Sequence, residues 1–209
     1  LAFGRQIDKL PLPVKSTPGF LVNRILMPYL LEAVEMVNEG IAPEKIDKAA
    51  LHFGMPMGPI ELADTVGLDV CRSVAKILSE TMNVSLPEKM DQMVDNKKLG
   101  KKTGEGFYKW VKGKPVKDKN VSYANSKDIE DRLIFRLLNE ATACVRDQVV
   151  DNEELIDAGV IFGTGFAPFR GGPLHHIHAE GVDVMKSRLE SLESLYGERF
   201  RRDEKWETL

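Results

Sequence analysis

Apolar residues recur at three- and four-residue spacing through Leu21, Val22, Ile25, Leu26, Tyr29, Leu30, Ala33, Val34 and Val37, the stripe of a helix with one face in a core. Arg24, Glu32, Glu35 and Glu39 fall opposite and predict its solvent face. Ser16-Thr17-Pro18-Gly19 reads as the start signal, a hydroxyl N-cap followed by proline at the first helical position. Upstream, Lys9 to Lys15 alternates apolar residues with Pro11 and Pro13; because proline removes a ladder donor, this is an edge strand or an extended connector. Two residues interrupt the stripe. Pro28 deprives the Arg24 carbonyl of its donor and predicts a kink. Asn23 lies one turn before Leu26, Met27 and Leu30, on an otherwise apolar side. A buried amide left unsatisfied costs about 1–3 kcal/mol. Asn23 is therefore either a structural amide bonded to nearby backbone or an amide aimed at a ligand across a domain boundary.

The same pattern occurs twice. Asn23-Arg24-Ile25-Leu26 matches Asp131-Arg132-Leu133-Ile134 at an offset of 108, and Glu32 and Ala33 then meet Glu140 and Ala141. Phe53-Gly54 with Pro59 matches Phe162-Gly163 with Pro168 at 109, and Gly67-Leu68-Asp69-Val70 matches Gly181-Val182-Asp183-Val184 at 114. The extra residues fall in the loop from Phe169 to Pro173. A small helical copy cannot bury its apolar face alone, so two copies packed together should share one core. The expectation is an all-α chain of two tandem pseudo-repeat helical domains, 16–110 and 122–200, with 1–15 outside them. Lys109 to Asn120, with Gly113 and Pro115, reads as the connector. The copies differ where Asn23 becomes Asp131 and Pro28 becomes Arg136.

Composition narrows the function classes. The 209 residues are 43% hydrophobic and 29% charged, as in a globular protein, and the net charge of −3 gives no basic field for nucleic acid. No apolar run approaches the roughly 20 residues of a membrane span. Cys71 and Cys144 sit inside apolar helical patterns and read as buried thiols in a reducing compartment. Met55, Met57, Met90 and Met93 read as core filler. The start at Leu1, with no initiator Met and no signal-peptide grammar, suggests a piece of a longer protein.

Other candidates are weaker. Lys97 to Lys119 holds nine lysines, and Leu99 to Tyr108 superficially resembles a phosphate cradle, yet it lacks P-loop order and a strand-to-helix context. A solvated, turn-rich segment docking Phe107 and Tyr108 is the preferred reading, with contact to an anionic ligand of a neighbouring domain as the alternative. His175-His176-Ile177-His178 lacks the cysteine or carboxylate that would complete a usual metal set, and reads better as a helix start after Gly171-Gly172-Pro173. No serine has the glycine-flanked elbow of an exposed nucleophile. The residues alone thus give no self-sufficient catalytic constellation.

Three motifs then carry a resemblance over about Leu10 to Phe200. Ser16-Thr17-Pro18-Gly19-Phe20-Leu21-Val22-Asn23-Arg24 with Pro28-Tyr29-Leu30 resembles the opening of the C-terminal domain of 3-hydroxyacyl-CoA dehydrogenases. Pro56-Met57-Gly58-Pro59-Ile60-Glu61-Leu62-Ala63-Asp64 and Gly100 to Tyr108 are similar to that family's next two signatures. The second copy, with Gly163 to Gly172, resembles the duplicated domain of multifunctional fatty-acid oxidation enzymes.

The resemblance implies NAD-dependent oxidation of 3-hydroxyacyl-CoA to 3-ketoacyl-CoA in β-oxidation. NAD and the catalytic His–Glu pair would belong to an upstream Rossmann domain, of which residues 1–15 look like the last stretch. No G-x-G-x-x-G follows a strand in this chain, so no catalytic or NAD-binding residue is assigned within it, and no metal ligand either. Asn23 matches the family's substrate-contacting Asn. Phe162 falls where multifunctional members can carry a substrate-contacting Tyr, leaving it an apolar packing role. The implied partners are acyl-CoA, the chain's own Rossmann and enoyl-CoA hydratase domains, a thiolase subunit and a second copy. The implied compartment is bacterial-type cytoplasm, with an organelle as the alternative. Two rival readings stand beside this one: a helical interaction module without substrate contact, and a different Rossmann-plus-helical dehydrogenase acting on a small hydroxy acid.

Overall fold

The computed structural model describes residues 6, 10–82, 84–118, 120–122 and 126–209. Of the expected upstream remnant, residues 1–5 and 7–9 lie outside the described residues. Each copy is built on one long helix: α1, Val22–Asn38, and α6, Lys127–Arg146. α1 is followed by α2 (Pro43–Phe53), α3 (Pro59–Val66), α4 (Leu68–Ser79) and α5 (Glu88–Asp95). α6 is followed by α7 (Glu153–Thr164), α8 (Pro173–Glu180) and α9 (Val182–Tyr196). One apolar cluster runs through both copies, from Ile25 and Tyr29 to Leu137, Leu189 and Trp206, and both cysteines are buried in it. The all-α duplicated architecture is therefore as the periodicity predicts.

The start of α1 is not. The hydroxyl residues Ser16 and Thr17 do not cap it; the N-cap is Leu21, with no side-chain hydrogen bond. Gly19 and Phe20 take left-handed angles (φ 75° and 51°), folding Pro18 to Leu21 into a turn before the helix begins at Val22. A Cβ on Gly19 would lie 2.9 Å from the Arg24 amide nitrogen, so the turn requires glycine there. α1 then continues through the buried Pro28 to Asn38. The Lys9–Lys15 segment, where described, forms an extended connector whose Lys15 amide donates to the Val149 carbonyl at 2.9 Å.

Two residues of the stripe expected to face solvent on α1 are interior, while Glu35 is half-buried and Glu39 exposed. Arg24 is 8% exposed and Glu32 2%. The reason is the packing of α1 against α6. The Arg24 Nε donates to Glu140 and its Nη2 to Asp147, both at 2.7 Å. Reciprocally, Arg132 donates to Glu32 at 2.8 Å and to Glu39 at 2.6 Å. The beginning of each helix thus lies beside the end of the other, and the two pairs are related as in a two-fold interface, where residue i meets j and j meets i. Glu39 and Asp147 are the C-caps of their helices. Acidic residues are unfavourable at that end of the macrodipole, and each is met by the opposite copy's arginine.

The structure also corrects the internal register. Gly54 and Gly165 are the left-handed C-caps of α2 and α7, and their amides donate to Ala50 and Ile161. Counting back from these caps, Phe162 corresponds to Leu51, not to Phe53. Leu51 and Phe162 are 46% and 73% exposed, whereas Phe53 is 3% exposed. Pro59 and Pro173 open α3 and α8, so Pro59 pairs with Pro173 and not with Pro168. Asp47 accepts from the amides of Ile60 and Glu61, and Asp157 from those of Leu174 and His175. A Cβ on Gly58 or Gly172 would overlap these carboxylates at 2.2 and 2.4 Å. The inserted residues form the 3-10 turn Pro168–Arg170.

The lysine-rich connector is structured. Lys109–Val111 (β1) pairs antiparallel with Lys114–Val116 (β2) around Lys112 and Gly113, both at positive φ as a tight hairpin turn demands. Tyr108 docks as expected, 3% exposed, its hydroxyl donating to Asp47 at 2.8 Å. Buried Asp64 accepts from the amides of Phe107 and Tyr108 and from the Trp110 indole. Packed chain continues past Tyr196 to Trp206, whose indole donates to Asn139 at 2.9 Å.

Candidate functional site

Two glycines one turn apart on α7 bring the first turn of α1 close. A Cβ on Gly159 would lie 2.6 Å from a Leu21 methyl, and one on Gly163 2.4 Å from a Val22 methyl. Asn23 and Phe162 each sit one residue from the Val22–Gly163 contact, so both flank a single helix crossing. The buried-amide reading of Asn23 does not hold. Asn23 is exposed, and its side chain makes no hydrogen bond among the described residues. Its polar presence on an apolar stripe has a simple cause: position 23 faces outward beside the crossing while Ile25, Met27 and Leu30 turn inward.

The equivalent residue in the second copy is closed. Asp131 is held by Lys127 at 2.8 Å and by Arg188. Only the first copy therefore presents an unengaged amide. Phe20, three residues before it, is 56% exposed and Phe162 on α7 is 73% exposed, while Phe169, 76% exposed in the turn after α7, lies beside Gly54. Phe20 escaped the sequence reading, although the Gly19-Phe20 break just before the apolar stripe was the available signal. Arg170 fixes the neighbouring turn, stacking on Phe53 at 4.1 Å and donating its Nε to the Phe53 carbonyl at 2.9 Å. An exposed amide beside a helix crossing that also presents an exposed aromatic ring can orient a polar oxygen while the ring covers an apolar chain.

The histidines do other work. The His175 amide donates to Asp157, and His178 lies 3.4 Å from Glu153. His176 is buried edge-on to Phe53, with ring centres 5.4 Å apart. Burial, aided by the nearby Arg170 charge, pushes its pKa down to about 4. No cluster of three or more potential metal ligands occurs among the described residues. Both thiols are pushed up to about 12 by burial, which leaves them unreactive. No described helix is long and apolar enough to cross a membrane.

With this geometry in view, the comparisons are decisive for the family. A family profile for the 3-hydroxyacyl-CoA dehydrogenase C-terminal domain matches residues 19–110 and again 129–209. The chain belongs to that family. The two matched segments coincide with the two structural copies. The fatty acid oxidation complex subunit alpha of Shewanella sp. (strain ANA-3) is 36% identical over 96% of this chain, which covers 31% of that protein. Its counterpart in Idiomarina loihiensis is 37% identical over 96% of this chain and 30% of its own length. The chain thus spans about a third of the length of the curated relatives it matches. The crystal structure of 3-hydroxybutyryl-CoA dehydrogenase from Escherichia coli shares the fold across 99% of this chain and 62% of its own, with TM-score 0.79 at 23% identity.

Proposed function

We propose that this chain is the C-terminal, substrate-covering part of an NAD-dependent 3-hydroxyacyl-CoA dehydrogenase of fatty-acid oxidation, with 1–15 the end of a Rossmann domain and 16–110 and 122–200 the two helical domains. The observation that carries this reading is Asn23: an exposed, unengaged amide at a helix crossing, in a family whose relatives act in fatty-acid oxidation. There its NH₂ donates to the thioester or keto oxygen of acyl-CoA, and Phe162 covers the acyl chain by apolar contact. A donor aimed at oxygen that gains negative charge is worth most when it is fixed in advance, and the α1–α7 packing fixes the backbone turn that carries it.

NAD does not fit the residues present. The described strands are the short antiparallel hairpin, with no strand-to-helix turn to cradle a pyrophosphate. The reading accordingly gives NAD and hydride transfer to the upstream domain, and every role assigned to this chain is binding and orientation. Its partners are acyl-CoA, its own upstream Rossmann and hydratase domains, a thiolase subunit and a second copy, in a bacterial-type cytoplasm.

The test is Asn23→Ala in the full-length enzyme. Loss of one oriented donor lowers kcat/KM about ten-fold while NAD affinity stays unchanged. Unaltered kinetics would remove Asn23 from the site. The 209-residue chain alone forms no NADH from 3-hydroxybutyryl-CoA, and robust formation would overturn the division of labour. The exposed Phe162 and Phe169 favour a second reading, a protein-docking face without substrate contact. Acyl-CoA-dependent hydrogen-exchange protection around Asn23 in the intact enzyme separates the two.

A further inference from the structure

A cavity of about 600 Å³ opens between the first copy and the end of the chain, with Pro28 and Arg136 both on its wall. These two residues occupy equivalent positions in the duplication. Each lies four residues along its helix from the reciprocal pairs, Arg24–Glu140 and Arg132–Glu32. Where the pseudo-symmetry would set two like side chains, the first copy supplies a compact proline ring and the second a long cation. The asymmetry leaves room in front of an arginine.

Arg136 differs from every other arginine lining that space. Arg24, Arg146, Arg199, Arg201 and Arg202 each have a carboxylate partner. Arg136 is 9% exposed and has none among the described residues; its Nη1 donates to the Arg199 carbonyl and its Nε is without a partner. The nearby Glu32 and Glu140 are already engaged by Arg132, Arg199 and Arg24. Thr17 Oγ1, on the same wall, is a second buried polar atom with no partner. A buried cation with nearby carboxylates but none in ion-pair reach is costly, and a guanidinium fork matches the paired oxygens of phosphate or carboxylate.

We propose that this cavity binds a small oxyanion, a phosphate or carboxylate group seated on Arg136 with the Thr17 hydroxyl as a second donor. The proposal does not depend on the dehydrogenase reading. It is tested on the 209-residue chain by titrating inorganic phosphate at fixed ionic strength against chloride. Phosphate at ten-fold excess over half-saturation raises the unfolding midpoint by about 3 °C, and chloride does not. Arg136→Met abolishes the response yet folds, since an apolar side chain in place of a buried charge is often neutral or stabilising. Thr17→Val raises the half-saturating concentration roughly five-fold. Acetate in place of phosphate distinguishes a carboxylate-bearing from a phosphate-bearing ligand by whichever saturates at lower concentration. Equal responses to phosphate, acetate and chloride, or a full response in Arg136→Met, would overturn the site.

Discussion

The two copies share a frame and differ in what they leave open. Both set a carboxylate, Asp47 or Asp157, on the first amides of a short helix, and both send an arginine across to the other copy's glutamate. At the next level they part. The first copy exposes Asn23, while the second closes Asp131 with Lys127 and Arg188. The first buries Asp64 beneath the Gly106–Trp110 loop, whereas the residue matching it in the second is the exposed His178. Shared positions are those that hold the duplication together; divergent ones mark where the two copies differ in what they expose and what they close.

The comparison can be broken most forcefully at the cross-pairs. Arg132 and Glu32 are both nearly inaccessible, and Arg132→Ala leaves Glu32 with Arg199 as its one remaining cation among the described residues, at a cost of about 3 kcal/mol. Arg24→Ala costs less, because its partners Glu140 and Asp147 are more exposed, 16% and 37% against 1% for Glu32. Urea unfolding of both variants checks this, and equal losses would mean that the two halves of the interface are energetically alike.

His176 gives the second copy a titrating group that the first lacks at the equivalent place, where Leu62 follows Pro59. Its folded pKa of about 4 lies below the usual value of 6.5, so between these limits the unfolded chain binds more protons. Stability therefore falls as pH drops from 6.5 to 4, by up to roughly 3 kcal/mol. His176→Phe flattens that part of the profile in thermal melts; an unchanged slope would place the sensitivity elsewhere.

Gly163→Ala drives a methyl into Val22 and costs about 1–3 kcal/mol, and Val22→Ala restores part of the loss in a double-mutant cycle. Strict additivity would show that the α1–α7 crossing is looser than it looks. The smallest effect is at Phe162. Phe162→Ser changes stability by less than about 0.5 kcal/mol, because the ring is 73% exposed, and any larger consequence for acyl-CoA binding reports function alone.

The duplication was legible because apolar periodicity and the Asn23/Asp131 match survive in local sequence. The register of the shorter helices was not. Phe53-Gly54 and Phe162-Gly163 look alike as dipeptides, yet the residue that ends a helix is identified by its φ, and Gly165 has the left-handed conformation that Gly163 lacks. Charge misled in the opposite direction. Arg24 and Glu32 fall opposite the apolar stripe, and only a partner helix about a hundred residues away places them inside. Asn23 could be selected as unusual, but the crossing it flanks is set by two α7 glycines against Leu21 and Val22, which no spacing within α1 reveals.

The cross-pairing also has a timetable. Glu32 of α1 waits for Arg132, one hundred residues later in the chain. At about 5–20 residues per second, a ribosome leaves the finished first copy without its counter-charges for roughly 5–20 s. During that interval the interface of α1 offers its apolar and acidic groups to any nascent neighbour. A slow stretch of translation between the copies would lengthen the exposure, and chains stalled there should be the ones that chaperones retain.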